Sequence, residues 1–210
     1  MPIALIDYGA GNLTSVRKAF AHLGAELYQP QSPGDLERAS AVVVPGVGHF
    51  AATRALTSEW HAAIRAGLDR GQPLFGICLG MQWLFEGSDE APDCPGLGLL
   101  EGRCWKLTGG PERLKVPHVG WNTLEPAGDS ALLAGLPAGS SVYFTHSYAC
   151  PVTPATAATT EYGGERFAAA VDTGQVMGVQ FHPEKSGEAG LAILRNFLAR
   201  VSTRAGAETR

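Results

Sequence analysis

Apolar positions follow two rhythms along the first half of the chain. Unbroken runs, "IALI" at 3–6, "AVVV" at 41–44 and "PLFGI" at 73–77, alternate with stretches of helical periodicity. Short runs rich in branched residues suit strands buried on both faces. After the first run, Leu13, Val16, Phe20 and Leu23 fall on one helical face, and Gly24 stops it. "AELYQ" (25–29) reads as a second strand, and Pro45 is expected to end the "AVVV" strand. Residues 50–70 read as one helix with Leu56, Trp60, Ile64 and Leu68 on a stripe, and "LGMQWLFEG" (79–87) as the next. Strand and helix alternating at this spacing predict an open, mostly parallel α/β sheet flanked by helices.

From about 98 to 181 the rhythm shortens. "LLEGRCWKLT", "HVGWNTLE", "SVYFTHSYA", "RFAAAVDTG" and "VMGVQF" are strand-length segments broken by Gly, Pro, Asp and Asn. They predict an antiparallel sheet appended to the parallel one. A final helix over 188–201 carries Leu191, Leu194, Leu198 and Val201, and a polar tail, 203–210, is expected to be disordered. With no internal repeat and no linker, residues 1–202 are read as a single domain.

Composition narrows the function classes. The 210 residues are 45% hydrophobic and 17% charged with a net charge of −4, which is globular and argues against nucleic acid as a partner. No apolar run is long enough for a membrane span and no export signal is visible. Cys78, Cys94, Cys104 and Cys150 form no CxxC pair, so a disulfide scaffold and a zinc site are both disfavoured. A reducing cytoplasm is the expected compartment.

Candidate chemistry begins at "FGICLGMQ" (75–82). Cys78 stands at a strand-to-helix junction between Gly76 and Gly80, a frame that suits a nucleophile on a strained turn. The helix N-terminus favours thiolate, and the Leu79 N–H can face an oxyanion. Taken alone, a core cysteine in a glycine-rich turn remains an equal reading. In "QFHPEKS", His182 precedes Pro183, which favours an extended backbone there, so Glu184 can project to the same side and orient the imidazole. Alone this is an exposed turn; with Cys78 it completes a nucleophile, base and orienter. "PGVGHF" (45–50) ends a strand of the same sheet and can turn backbone N–H groups toward developing charge. "GAGNLT" (9–14) lacks the third glycine of a dinucleotide loop. His118 and His146 lack metal-ligand spacing, and Trp121 suits a core or an interface equally.

"GICLGMQ", "FHPEKS" and "PGVG", in that combination, resemble the class I, triad-type glutamine amidotransferases over nearly the whole chain. "DYGAGNL", "PHVGWN" and "YFTHSY" are similar to the branch that serves histidine biosynthesis. The resemblance implies hydrolysis of L-glutamine through a thioester on Cys78, with His182 moving protons and Glu184 orienting it. It implies oxyanion donors at Leu79, Val47 and Gly48. Gln82, Glu90, Tyr143, His146, Ser147 and Tyr148 would bind glutamine, and no cofactor or metal would be needed. It implies a heterodimer with a (βα)₈-barrel cyclase subunit that receives the ammonia, docked near Asn12, Trp121 and Lys185. His49 and Thr145 depart from the family pattern. The alternatives are a glutaminase serving another synthase and a non-catalytic glutamine-binding subunit; a cysteine peptidase is disfavoured by the small-molecule motifs.

Overall fold

The computed structural model describes residues 2–111 and 113–207. Thirteen strands and four α-helices follow in order. They are β1 (Ile3–Leu5), α1 (Leu13–His22), β2 (Leu27–Tyr28), β3 (Ala41–Gly46), α2 (Ser58–Asp69), β4 (Leu74–Cys78), α3 (Leu79–Leu84) and β5 (Phe85–Ser88). Then come β6 (Leu100–Lys106), β7 (His118–Thr123), β8 (Glu125–Pro126), β9 (Ser141–His146), β10 (Tyr148–Ala149), β11 (Thr156–Tyr162), β12 (Glu165–Asp172), β13 (Val176–Val179) and α4 (Gly187–Ala207).

An eight-stranded sheet, ordered β2-β1-β3-β4-β13-β12-β11-β8, forms the centre. Its first five strands pair in parallel and the last three add antiparallel. Of the appended strands, β12, β11 and β8 extend the parallel sheet antiparallel, while β6, β7, β9 and β10 belong to smaller sheets beside it. Two small sheets, β10-β6-β5 and β7-β9, lie outside it. One face of the large sheet packs Val16 and Phe20 of α1 with Ile193, Leu194, Phe197 and Val201 of α4. The other packs Ile64 of α2 with Trp83 and Leu84 of α3 and with Phe50. Helices on both faces leave the C-terminal edge of the parallel strands open, where ligands bind in such sheets.

Several elements differ from the sequence reading. The predicted helix 50–70 is a 3₁₀ helix, Phe50–Ala55, followed by α2. The predicted helix 79–87 ends at Leu84, and Phe85–Ser88 becomes a strand pairing with β6. β3 runs through Pro45 to Gly46. Val42 N–H bonds toward β4 while Val43 O accepts from Ile6 N–H, so alternation turns Pro45 to the side where β1 has ended. A missing N–H costs nothing there. α4 buries Ile193 and Phe197 in place of Leu191 and Leu198, which are only partly covered. It also continues past the expected end at 201 to Ala207; the last of the expected tail, 208–210, lies outside the described residues.

The two glycines flanking Cys78 have separate steric causes. A methyl group on Gly80 would stand 1.7 Å from the Val44 carbonyl oxygen, and one on Gly76 would stand 2.6 Å from the Gly80 carbonyl oxygen. The first turn of α3 is thus pressed onto β3 and β4 with no room for a side chain. Gly80→Ala is expected to cost at least about 3 kcal/mol of stability, because backbone must move. Gly24→Ala, at φ +76° with no atom within 4 Å, should cost only about 1–2 kcal/mol of conformational strain. Chemical denaturation of the two variants checks the contrast.

Candidate active site

β3, β4 and β13 are adjacent and parallel, and their ends come level. Gly46 is in register with Cys78, and Val179 with Ile77. The strand order thus sets the "PGVG" segment on one side of Cys78 and the His182 turn on the other. Cys78 has φ +55° and ψ −107°, a conformation that L-residues rarely hold. It is 4% exposed and caps α3, so the Leu79 N–H opens the helix without an intrahelical partner.

His182 follows β13 at φ −101° and ψ 96°, extended as a residue before proline should be. Its Nδ1 lies 2.8 Å from Glu184 Oε1, and both side chains are almost wholly buried. Nε2 and Glu184 Oε2 are buried without hydrogen-bond partners. Burial alone would lower the imidazole pKa. The Cys78 sulfur, as thiolate, and the Glu184 carboxylate outweigh it and hold the value up at about 10. The raising effect of Cys78 on the ring is that of its thiolate form; as a neutral thiol its S–H points toward the Thr145 carbonyl at 4.0 Å. The turn is clamped by β9. His182 N–H donates to Tyr143 O at 2.9 Å, Tyr143 N–H to Ser186 Oγ at 2.9 Å, and Ser186 Oγ to His182 O at 2.6 Å.

A cavity of about 270 Å³ opens at Cys78, below the usual range for drug-sized ligands and suited to an amino acid. Val47, Gly48, Leu79, Gln82, Glu90, His146, Ser147 and Tyr148 line it, as the sequence leads one to expect, together with Pro117 and Thr145, which carry no such expectation. Tyr143 is not in the lining. It shares a face of β9 with Thr145 but sits one repeat farther out, opposite Trp121 on β7, with the rings 6.1 Å apart. Lys185 Nζ lies 5.8 Å from the Tyr143 ring. Trp121 and Val119 are 59% and 56% exposed, so Trp121 is on the surface, not in the core. Asn12 caps α1, its side chain accepting from Ser15 N–H. His49 is structural as well, since its Nδ1 accepts from Ala51 N–H and caps the 3₁₀ helix.

The polar wall is wired from one backbone oxygen. Tyr148 O accepts from Gln82 Nε2 at 2.8 Å and lies 2.9 Å from His146 Nδ1. A carbonyl can only accept, so His146 carries its proton on Nδ1 and takes one at Nε2 from His118 Nδ1, 3.1 Å away. Burial holds His146 at a pKa of about 3 and His118 at about 4, so both are neutral at physiological pH. Gln82 spends its other N–H on Gln180 Oε1 at 3.2 Å. What Gln82 can offer a ligand is its oxygen. Glu90 Oε2 accepts from Phe50 N–H at 2.6 Å, which fixes the carboxylate at the cavity wall. Among the described residues no three His, Cys, Asp or Glu are grouped to hold a metal ion.

Gln180, Ser186 and Tyr8 carry no sequence signal of their own as site residues. The Tyr8 hydroxyl is buried without a partner beside Gly46, where a methyl group would meet it at 2.0 Å. Burial first, and then the nearby Cys78, raise its pKa.

The family model of the class I glutamine amidotransferases matches residues 4–201. The imidazole glycerol phosphate synthase subunit HisH of Deinococcus radiodurans is 46% identical over 199 residues, covering 93% of this chain and 92% of that protein. The protein of the same name from Xylella fastidiosa is 49% identical over 197 residues, covering 93% and 96%. Among solved structures, a glutamine amidotransferase superposes with a TM-score of 0.72 at 21% identity, over 95% of this chain and 98% of that one. PurLQS from Thermotoga maritima superposes with a TM-score of 0.73 at 18% identity, over 94% and 97%. At these identities the structures speak for the fold.

The His182–Glu184 pair links stability to pH with a definite sign. A histidine raised from 6.5 to about 10 contributes stability that is complete below 6.5 and is lost as pH rises through 10. Glu184→Gln should bring the His182 titration down toward its ordinary value, read by NMR. It should also reduce turnover about 10³–10⁴-fold, as loss of the orienting carboxylate does in other triads.

Proposed function

Because the chain belongs to the class I glutamine amidotransferase family, we propose that the Cys78 cavity hydrolyses L-glutamine to glutamate and ammonia. The chain acts as the glutaminase subunit of an imidazole glycerol phosphate synthase in histidine biosynthesis. One observation carries the catalytic reading: His182 and Glu184 are paired at 2.8 Å in the turn that follows β13, the strand next to the one that ends in a cysteine held at φ +55°.

The Cys78 thiolate attacks the side-chain carboxamide carbon, and its proton resides on His182 Nε2. The carbonyl oxygen becomes an oxyanion held by the Leu79 N–H and by the segment of Val47 and Gly48. Collapse breaks the C–N bond as His182 protonates the leaving nitrogen, which releases ammonia and leaves a γ-glutamyl thioester on Cys78. His182 then takes a proton from water, which attacks the thioester and frees glutamate and the thiolate. Glu90, the Gln82 oxygen, Ser147 and Tyr148 hold the amino-acid head group, and the neutral His146 shapes the wall.

The ammonia is received by a cyclase subunit with a (βα)₈ barrel. Delivery through a shielded path has a chemical reason, since ammonia in neutral water is mostly ammonium and is not a nucleophile. Exposed Val119 and Trp121, with Tyr143 and Lys185 beside them, support docking next to the cavity mouth at Thr145 and Pro117. The Asn12 loop supports the same edge: a methyl group on neighbouring Gly11 would touch Gly46 Cα at 3.8 Å. Four free, buried cysteines suit a reducing cytosol.

Reconstitution with a cyclase subunit and its ligand should release glutamate from glutamine. Cys78→Ala should abolish release while leaving complex formation intact, and unchanged release would remove Cys78 as nucleophile. Trp121→Ala should weaken the complex by about 10–100-fold, as the loss of an aromatic anchor does, measured by calorimetry.

A further inference from the structure

Gln180 touches the nucleophilic sulfur yet does not line the cavity. It is 0% exposed and stands at the step from β13 to the His182 turn. A carboxamide buried this deeply is costly unless both ends are paired. Its oxygen receives Gln82 Nε2 at 3.2 Å and the Cys150 S–H at 3.7 Å, and its nitrogen donates to Cys78 Sγ at 3.7 Å.

The polarity of this arrangement is fixed from outside. Tyr148 O can only accept, so Gln82 must turn Nε2 toward it. The second Gln82 N–H then needs an acceptor, which must be Gln180 Oε1. Reversing Gln180 would set two N–H groups against each other and would face the sulfur with an oxygen lone pair. The Gln180 N–H is therefore held on Cys78 by a chain of acceptor-only and donor-only contacts that begins at a backbone carbonyl.

We infer that Gln180 is a positioning residue for the nucleophile: its side-chain N–H is given to the Cys78 sulfur and steadies the thiolate during attack and again on release from the thioester. An amide N–H does not ionise at neutral pH, so it stabilises the anion without competing with His182 for the proton. Hydrogen bonds to charged acceptors are the stronger kind. The titratable groups around the sulfur are His182 on the following turn, Tyr8 after β1 and Cys150 after β10.

The inference rests on Cys78 being the nucleophile, and its test reads thiol reactivity, which needs neither partner nor turnover. Iodoacetamide alkylation of Cys78, located by peptide mass spectrometry, is followed against pH in the wild type and in Gln180→Met. The variant should react with an apparent pKa about one to two units higher and at least about ten-fold more slowly at neutral pH. In the partner-bound enzyme kcat should fall by more than KM for glutamine rises, since Gln180 touches the sulfur directly and reaches the cavity wall only through Gln82. A folded variant that alkylates on the wild-type pH curve overturns the inference. Should Gln180→Met fail to fold, the wild type decides: the Gln180 side-chain amide resonance must shift with Cys78 titration in ¹⁵N-resolved spectra, and an unmoved resonance overturns it. An alkylation shift as expected, in a protein that releases no glutamate with any cyclase, would sink the proposed activity and leave the role of Gln180 standing.

Discussion

The Val44 carbonyl oxygen occupies the place where a side chain at position 80 would be, and the Gly80 carbonyl does the same to position 76. This double backbone contact draws the start of α3 down onto the ends of β3 and β4. Cys78 is forced into a positive-φ turn between them, with the Leu79 N–H at the same height. Because β3, β4 and β13 are in parallel register, the nucleophile, the "PGVG" segment and the His182 turn share one edge. A side chain at either glycine would lift α3 and separate the sulfur from both neighbours.

Electrostatics divides the cavity into two unlike sides. His182 is paired with a carboxylate and held well above the ordinary imidazole value, whereas His118 and His146 are held well below it. All three rings are buried, so burial does not separate them; the partner does. Glu184 offers a charge, while Tyr148 O offers only a dipole. Charge that can move a proton is confined to the Cys78 side. The His118–His146 part of the opposite wall stays neutral, and the Glu90 carboxylate beside Tyr148 is kept for the head group of the substrate rather than its reacting carboxamide.

The grouping of Cys78, His182 and Glu184 is legible in the sequence because its signals are local. Gly-x-Cys-x-Gly and His-Pro-Glu each fix their own backbone within a few residues. The parallel half of the sheet is legible for the same reason, through uninterrupted apolar strands. Long-range pairing is not. β13 enters between β4 and β12, and nothing in "VMGVQF" says which neighbours it will have. β5 reads as helix because "LFEG" continues an apolar helical pattern, and only its pairing with β6 makes it a strand. β11, rich in alanine and threonine, gives too weak an apolar signal to stand out. Gln180 carries no local signal because its partners, Gln82 and Cys78, lie 98 and 102 residues away. Tyr143 shares a motif with His146, which points it to the cavity, but strand alternation and the reach of the cavity separate them.

That displacement gives Tyr143 a different meaning. Its ring belongs to the exposed patch with Trp121 and Lys185, while its backbone holds the His182 turn through two hydrogen bonds, one direct and one by way of Ser186. Thr145, next on the same face, supplies the carbonyl toward which the Cys78 S–H points. One strand thus presents side chains to the exposed patch and backbone groups to both Cys78 and the His182 turn. Any shift of β9 against β7 would displace His182 and the resting acceptor of the thiol together. No hydrogen bond joins His182 Nε2 to the sulfur at rest, so small movements at that strand bear directly on whether the pair engages.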